Sequence, residues 1–363
     1  MKFSTLSTLS LVYVTTVSAT PFIFPPPRAT CSRGRTAASA TCCVWYNVLD
    51  DIQANLFEGG ICGDDAHDAL RLSFHDAIGY SPQLTGKNKF GGGGADGSLI
   101  KFSKTELTYA ANEGLEEIVA DEKVFADKWG VSYGDMIQFA GAVSVRNCAG
   151  GPRVGFMAGR ANATAAAPDG LIPEAPDSVD KILARVGDAG LTPEELIDLL
   201  ASHSIGVQDH VDRTIPGMPF DTTPSVFDTN FYLETLLAGT VWPGSGPNPG
   251  QFQSPIPTEL RLLSDWNLSQ DSRTSCHWQS FVNNQDRMQV RFAASMAKMA
   301  LLGQNVQILH DCSEVIPPPA FHIIPKAKLP AGKKASDLEL TCPKPLMPAA
   351  TPFSLSSFVS NLL

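Results

Sequence analysis

The 363-residue sequence lacks an excess of positive charge, and beyond its first residues it lacks any long apolar run. Its 27 Lys and Arg are outnumbered by 37 Asp and Glu, which gives a net charge of −10. An acidic chain does not attract nucleic acid or an anionic membrane surface. After residue 19, no stretch approaches the roughly 20 apolar residues of a transmembrane helix. We therefore expect no nucleic-acid partner and no membrane partner.

Several motifs are also missing. The sequence has no Cys-x-x-Cys pair, no EF-hand loop and no GxxxxGK[ST] motif, which disfavours structural zinc and phosphate-loop chemistry. Alternating strand patterns are scarce and no repeat of roughly 20–50 residues occurs, which excludes an all-β fold. The content of 43% hydrophobic and 18% charged residues is typical of a globular protein.

The N-terminus predicts secretion. Lys2 precedes an apolar run that ends in the small residues Val17-Ser18-Ala19, as in a signal peptide over residues 1–19. The Pro-rich segment 20–28 resembles a short pro-peptide. The cysteines are even in number, which predicts four disulfides in an oxidising compartment, but spacing alone leaves their pairing open. Sequons at Asn162 and Asn267 fit a secreted glycoprotein.

Apolar residues recur mostly at helical spacing. Thr192-Pro-Glu-Glu provides an N-cap, a first-turn proline and acidic residues at a helix start, and Asp177-Ser-Val-Asp begins a helix in a similar way. Long turn-rich segments over 81–98, 216–229 and 241–257 separate the helices, which indicates functional or tethered loops. The predicted helices are 44–56, 66–75, 135–143, 179–186, 193–203 and 288–302.

Two histidines stand out. Arg71 and His75 are four residues apart, so on a helix they share a face with Phe74 beside it. A neutral imidazole can move a proton between peroxide oxygens while a guanidinium stabilises developing negative charge. His203 ends an apolar helical run, which suits an axial haem ligand. The alternatives are an ordinary Arg/His helix pair and a core histidine.

Two loops are rich in oxygen ligands. Residues 91–98 (GGGGADGS) lie close after Asp76 in sequence, and residues 221–228 (DTTPSVFD) follow Ser204. Carboxylates, hydroxyls and backbone carbonyls are the ligands that calcium prefers. Two solvated loops are the alternative interpretation.

Taken together, these segments resemble the secreted fungal class II haem peroxidases, the family of lignin, manganese, versatile and generic peroxidases. The matches include LRLSFHDAIG, FGGGGADGS, LLASHSIG, PFDTTPSVFDTNFYLETLL and CHWQSFVNNQ, and they extend over nearly the whole chain after residue 28. The resemblance implies a mainly α fold with few short strands. A distal helical domain (29–175) and a proximal helical domain (176–315) would enclose haem b, followed by a Pro-rich extension (316–363).

The resemblance also implies roles for individual residues. His75 would be the distal acid/base, Arg71 the charge stabiliser and His203 the iron ligand. The supporting residues would be Phe74, Asn112 and Glu106 on the distal side, and Phe220 and Asp265 on the proximal side.

Metal ligands and disulfides follow by the same resemblance. One calcium would bind Asp76, Gly94, Asp96 and Ser98, and a second would bind Ser204, Asp221, Thr223, Val226 and Asp228. The implied disulfides are Cys31–Cys43, Cys42–Cys312, Cys62–Cys148 and Cys276–Cys342.

The electron donor is the least determined feature. The exposed Trp that lignin and versatile peroxidases carry five residues before the proximal histidine is replaced by Asp198. The manganese ligands of the family, two Glu and one Asp, correspond to Asp64, Asp68 and Asp209, so two carboxylates are shortened by about 1.5 Å.

We therefore expect a secreted, monomeric peroxidase that uses hydrogen peroxide to oxidise small phenolic and aromatic, lignin-related donors in one-electron steps. The first alternative is oxidation of Mn(II) to diffusible Mn(III). An alternative of another class is a non-catalytic secreted protein that binds calcium or haem.

Overall fold

The computed structural model describes residues 28–319, 322–343 and 351–352. The predicted signal peptide, nearly all of the predicted pro-peptide and the last eleven residues lie outside this part of the chain. Within it the fold is mainly helical, as predicted. The α-helices are α1 Cys43–Asn55, α2 Asp64–Ala77, α3 Pro82–Gly86, α4 Ser98–Lys101, α5 Ser103–Glu106, α6 Glu116–Trp129, α7 Tyr133–Asn147, α8 Val179–Ala189, α9 Pro193–Leu199, α10 Asn230–Glu234, α11 Leu263–Gln270, α12 Ser275–Gln279 and α13 Gln285–Met299.

The strands in the described residues are two residues long and pair two by two. Four pairs are antiparallel: Ala29–Thr30 with Thr36–Ala37, Met157–Ala158 with His310–Asp311, Val207–Gln208 with Met218–Pro219, and Gln251–Phe252 with Arg261–Leu262. The fifth, Lys328–Leu329 with Thr351–Pro352, is parallel. Short 3₁₀ helices cover Ser32–Gly34, Ala40–Cys42, Ala110–Asn112, Leu200–Ile205, Val306–Ile308, Ser313–Val315 and Ala335–Asp337.

Each of the six predicted helices is present, and the shorter helices α3, α4, α5, α10, α11 and α12 are additional. Two further differences from the prediction concern α9 and α6. The helix predicted over 193–203 ends as an α-helix at Leu199 and continues as the 3₁₀ helix Leu200–Ile205. There the hydroxyl of Ser204 donates to the carbonyl of Ala201 at 2.8 Å, a three-residue step that matches 3₁₀ geometry. The second difference is α6, which the sequence did not predict because Glu122 occupies the middle of its buried face.

The helix that carries Arg71 and His75 is held against α7. At the crossing, Gly141 lies so close to α2 that an added Cβ would be 2.8 Å from Cβ of Ser73. A glycine is required for this close approach. Next to it the rings of Trp45, Phe139 and Phe156 pack with centroids 4.7–4.9 Å apart.

A second aromatic group underlies the His203 segment. Phe231, Tyr232, Trp278 and Phe281 are fully buried and make edge or tilted contacts 5.0–5.3 Å between centroids. Burying four such rings supplies a large share of the hydrophobic stabilisation of this region. Buried residues of both predicted halves form one continuous core, and the division at residue 175 stays a prediction.

All eight cysteines are paired as the resemblance implied. Cys42 and Cys43 go to different partners, and Cys276–Cys342 ties the C-terminal extension to α12. In the described parts of the chain, every helix is too short or too polar to cross a membrane.

Candidate active site

Helix α2 presents Arg71, Phe74 and His75 to one cavity. The helix begins after Gly63 with Asp64 and Asp65 in its first turn, where negative charge complements the helix dipole. The four-residue step between Arg71 and His75 then places both on the same face, as predicted.

His75 is held in one tautomer. Its Nδ1 lies 2.9 Å from Oδ1 of Asn112, and the amide of Asn112 in turn donates to the backbone carbonyl of Glu106 at 3.0 Å. Because an amide oxygen only accepts, Nδ1 carries the hydrogen and Nε2 keeps its lone pair. Burial and the charge of Arg71 lower the pKa of His75 to about 3, against the opposing effect of Asn112. The imidazole is therefore neutral over the physiological range and able to accept a proton.

Glu106 supports this arrangement with its backbone instead of its carboxylate. The carboxylate accepts from the amide of Ala167 at 2.9 Å, and burial raises its pKa to about 7. The sequence named the correct residue, but the atom that contacts Asn112 is known only from the fold.

Arg71 is fixed by carbonyl oxygens. One guanidinium nitrogen donates to the carbonyls of Ala111 and Glu113 at 3.3 and 2.9 Å. Burial lowers the pKa of Arg71, but a guanidinium stays charged at any physiological pH. The cavity therefore has one permanent positive charge next to one neutral imidazole.

His203 lines the same cavity from the 3₁₀ helix after α9. Its Nδ1 lies 3.0 Å from Oδ2 of the buried Asp265, and the ring of Phe220 packs 5.2 Å away between centroids. With Nδ1 engaged by a carboxylate, Nε2 is the ring nitrogen that is available to a metal. The structure thus brings together Arg71, His75 and His203, which are up to 132 residues apart in the chain.

The cavity has a volume of about 560 Å³ and a mainly apolar lining. Leucine, isoleucine, phenylalanine and methionine residues contribute much of the apolar part of its wall, and residues 172–176 also line it. This size and polarity are typical of a site for a large planar cofactor or ligand.

The first oxygen-rich loop surrounds Asp76 and Asp96. Asp76 accepts from the amides of Gly97 at 3.0 Å and Leu99 at 3.4 Å, and Asp96 from the amide of Ser98 at 3.1 Å. Burial raises the pKa of Asp96 to about 6, and burial together with Asp96 raises the pKa of Asp76. Two neighbouring buried carboxylates are the donor set that a hard cation neutralises.

The second oxygen-rich loop also contains buried carboxylates. Asp221 is buried and its Oδ2 has no hydrogen-bond partner, while Oδ1 accepts from the amide of Thr223 at 2.8 Å. The hydroxyl of Thr223 donates to Asp228 at 3.2 Å, and Ser204 is buried next to His203. Burial raises the pKa of Asp228 to about 6. An unpartnered buried carboxylate oxygen fits a bound cation.

Comparison with known proteins identifies the family. Residues 48–284 match the model of the family described as Peroxidase, and residues 287–357 match the Fungal peroxidase extension region. The chain belongs to the peroxidase family. It is 52% identical over 326 residues to Versatile peroxidase VPS1 of Pleurotus eryngii. The aligned region covers 90% of this chain and 87% of the relative.

Other relatives carry different substrate names. Ligninase LG6 of Phanerodontia chrysosporium is 50% identical over 327 residues, with 89% of this chain and 88% of the relative covered. Manganese peroxidase 3 of Phlebia radiata is 49% identical over 334 residues, with 91% and 90% covered. The peroxidase family confirms the predicted enzyme class and excludes the non-catalytic alternative.

The cavity of this peroxidase fits a haem. It offers one imidazole whose Nδ1 is already engaged by Asp265, an apolar wall, and a second imidazole beside a guanidinium. Those are the proximal ligand, the pocket and the polar groups that a peroxidase haem needs.

The three acidic residues predicted for manganese lie at or near one edge of the cavity. Asp68 and Asp209 line it, and Asp64 lies one helical turn before Asp68. The pKa of Asp68 is raised to about 6, mainly by burial, with Arg71 opposing the rise and the charges of Asp209 and Asp64 adding to it. Asp209 Oδ1 accepts from the amide of Gly217 at 2.8 Å, so one of its oxygens is partly engaged.

Asp198 replaces the surface tryptophan with a buried charge cluster. Its carboxylate is fully buried and contacts His277, Ser295 and Arg291. Because Asp198 has no indole ring, this peroxidase has no tryptophan at that position through which electrons could be transferred.

Sequence reasoning missed three residues at the cavity. Glu113 and His210 line it, and Arg213 pairs with Glu113 at 2.5 Å. The sequence offered one indication of their place, since Glu113 follows the predicted site residue Asn112 and His210 follows the predicted site residue Asp209. The contacts of Glu113 with His210 and Arg213 depend on the fold.

Proposed function

We propose that this peroxidase reduces hydrogen peroxide with His75 and Arg71 as the groups that act on the peroxide and with His203 as the residue that would hold the haem iron. One observation carries the proposal: Arg71, His75 and His203 line the same cavity, each histidine with Nδ1 engaged by a fixed acceptor. A bound haem supplies the iron and the porphyrin electrons that reduce the peroxide.

The chain moves the proton. Nε2 of His75 accepts a proton from one peroxide oxygen and returns it to the other, so that this oxygen leaves as water. Asn112 accepts the hydrogen of Nδ1, which leaves Nε2 with its lone pair free to take the proton. Arg71, fixed by two carbonyls, stabilises the negative charge that develops as the oxygens separate.

On the His203 side of the cavity, Asp265 orients the histidine ring as Asn112 does for His75. Its carboxylate, buried and 3.0 Å from Nδ1 of His203, holds the imidazole in one orientation and increases the basicity of Nε2. Phe74 and Phe220 line the cavity and exclude water from it.

The donors that fit best are small phenols and aromatic amines related to lignin. Support comes from the apolar cavity and from relatives named ligninase and versatile peroxidase. Asp198 also favours donors that reach the cavity directly over donors oxidised at a surface tryptophan. Mn(II) is the second candidate substrate, because Asp68 and Asp209 line the cavity, Asp64 lies one helical turn before Asp68, and one relative is named a manganese peroxidase.

Two calcium ions, bound at the Asp76/Asp96 loop and at the Asp221/Asp228 loop, complete the proposal. Each site would include one ligand that directly follows a histidine, Asp76 after His75 and Ser204 after His203, so each ion would fix a histidine segment. Four disulfides support an extracellular location. The mature protein in this proposal is a monomer without its signal peptide and pro-peptide.

The test has two stages. Purified holoprotein should show a Soret band that shifts rapidly when hydrogen peroxide is added, and His75→Ala should slow this shift. Steady-state kinetics with Mn(II) in a chelating buffer, against a simple phenol, then rank the substrates. Saturation at low Mn(II) that is lost in Asp209→Ala would place Mn(II) first, and a colourless protein that does not take up hemin would contradict the proposal.

A further inference from the structure

Glu113 is a partly exposed residue of the cavity lining, and it pairs with Arg213, which lies just outside that lining. Glu113 lines the cavity, and its carboxylate contacts a guanidinium nitrogen of Arg213 at 2.5 Å. Their side chains are 41% and 68% exposed, whereas the neighbouring Arg71 is buried. The pair therefore lies at the solvent end of the cavity and connects two chain segments that are 100 residues apart.

Both segments are close together at this point. His210 lies 3.8 Å from the carboxylate of Glu113, and a Cβ added to Gly114 would be only 2.4 Å from Nε2 of His210. Since Gly114 has a φ of +86°, the turn after Glu113 is itself built around a glycine. On the Gly114 side of the ion pair the two segments are therefore in direct contact, so any passage for a donor lies on its other side.

The backbone under Glu113 is rigid. The carbonyls of Ala111 and Glu113 accept hydrogen bonds from Arg71, and Asn112 between them holds His75. The carboxylate of Glu113 can therefore swing without displacing the groups that handle peroxide.

The backbone under Arg213 is fixed in the same way. Asp212 is buried, and its carboxylate accepts from Ser245 N and from the hydroxyl of Thr214, both at 2.6 Å. Its amide donates to Gln208 at 2.9 Å. Two mobile charged side chains on two fixed supports can break and re-form their contact without other rearrangement.

We propose that the Glu113–Arg213 ion pair is a latch across the cavity mouth that determines the size of the donors this peroxidase accepts. The latch deepens the proposed function and rests on it. Small neutral phenols pass beside the closed pair, and bulky donors reach the cavity when the pair is open.

The latch can be tested with Glu113→Gln, Arg213→Gln and the double variant of the holoenzyme. The measured quantity is kcat/KM for a bulky neutral phenol divided by kcat/KM for a small neutral phenol. Because an exposed ion pair is weak, we expect each single variant to raise this ratio by about two- to fivefold. The double variant should match the singles, since one interaction is removed in all three.

Ionic strength provides a second measurement. Raising it from about 0.01 M to about 1 M shortens the Debye length from roughly 30 to roughly 3 Å, which weakens an exposed pair. The ratio for the parent protein should rise with salt, whereas the ratio for Arg213→Gln should not. Neutral donors are used so that salt does not act on the substrate.

Binding provides a readout that does not depend on turnover. A bulky, non-oxidisable aromatic hydroxamic acid is titrated into the resting holoenzyme, and its dissociation constant is read from the Soret band. We expect about two- to fivefold tighter binding in both single variants. The matched control is Arg33→Gln, which breaks an exposed pair with Asp50 at 2.6 Å outside the cavity lining and should change none of these values.

The outcomes separate the two proposals. Equal donor ratios, salt responses and binding constants in the parent and all variants would overturn the latch while phenol turnover stays intact. If no small phenol is turned over by any variant, the proposed substrate class fails, and the Soret titration still decides whether the mouth has widened.

Discussion

Oδ1 of Asp198 lies 2.6 Å from Nε2 of His277, and its Oδ2 lies 2.7 Å from the hydroxyl of Ser295. This fully buried carboxylate ties α9, the helix that leads into His203, to α12 and α13. A residue that replaces a surface indole thus serves here as the central acceptor of a buried polar cluster.

Asp198→Ala should lower the free energy of unfolding by about 1–3 kcal/mol, because it leaves the ring nitrogen of His277 and the buried hydroxyl of Ser295 without their acceptor. Chemical denaturation of the holoenzyme measures this value. The control is Asp127→Ala, which removes an exposed i,i+4 pair with Lys123 and should cost less than about 0.5 kcal/mol. An Asp198→Ala variant as stable as the parent would contradict the assigned role of the cluster.

The contribution of Asp198 should also depend on pH. Burial raises its pKa, but hydrogen bonds from His277 and Ser295 outweigh burial and bring it below the usual value of 3.8. A depressed acid pKa gives stability that is present above the unfolded pKa and lost as pH falls through the folded pKa. The stability difference between the parent and Asp198→Asn should therefore shrink below about pH 4, and a constant difference down to the acid limit of folding would argue against this.

The reaction with hydrogen peroxide should be independent of pH until the solution becomes strongly acidic. The pKa of His75 is lowered to about 3 by burial and by Arg71, so its neutral, reactive form is lost only as pH falls through that value. In Arg71→Leu, where the charge is absent, the acid limb should move to higher pH. Arg71→Lys keeps the charge and serves as the control.

Stopped-flow absorbance in the Soret region measures these rates. His75→Ala should lower the rate constant by about 10²–10⁴-fold, the usual contribution of a general acid/base. An acid limb at the same pH in Arg71→Leu and the parent would show that Arg71 does not set the protonation of His75.

Removal of calcium should destabilise the protein and disturb both histidine segments. At a free concentration a hundredfold above the dissociation constant, each ion contributes about 2.7 kcal/mol. A chelator should lower the melting temperature and change the Soret band, and added calcium should restore both. Metal analysis should find two ions in the parent and one in Asp228→Asn, and a chelator without effect would contradict the assignment.

Lengthening two carboxylates should improve manganese oxidation. Asp64→Glu with Asp68→Glu extends each side chain by about 1.5 Å toward the cavity edge. We expect KM for Mn(II) to fall roughly tenfold, equivalent to about 1.4 kcal/mol. The control is Asp65→Glu on the same helical turn, and an unchanged KM in the double variant would show that these positions do not bind the ion.

Much of the site could be predicted from sequence because it depends on short separations. Arg71, Phe74 and His75 share a helix, so their common direction follows from helical spacing. The predicted cap at Thr192 is confirmed: its hydroxyl accepts from the amide of Glu195 at 3.2 Å, and the carboxylate of Glu195 accepts from Thr192 N. The disulfide pairing followed from resemblance, since spacing alone left it open.

Helix α6 shows where the sequence pattern fails. Its buried face contains Ile118, Val119 and Phe125, but Glu122 lies among them with both carboxylate oxygens unpartnered. A buried acid interrupts the apolar period on which prediction depends, and burial raises its pKa well above the usual value. Only the packing of α6 in the fold shows that this position is interior.

The amino-acid order alone determined the helical class and the Arg71/His75 face, because a helix fixes the relation of residues a few positions apart. The candidate ligands followed from the family resemblance. The tertiary structure decided that Glu113 meets Arg213, that Asp198 is buried against His277, and that the carbonyl of Glu106 supports Asn112. Contacts between residues tens to a hundred positions apart depend on how the helices pack, and local sequence spacing does not predict that packing.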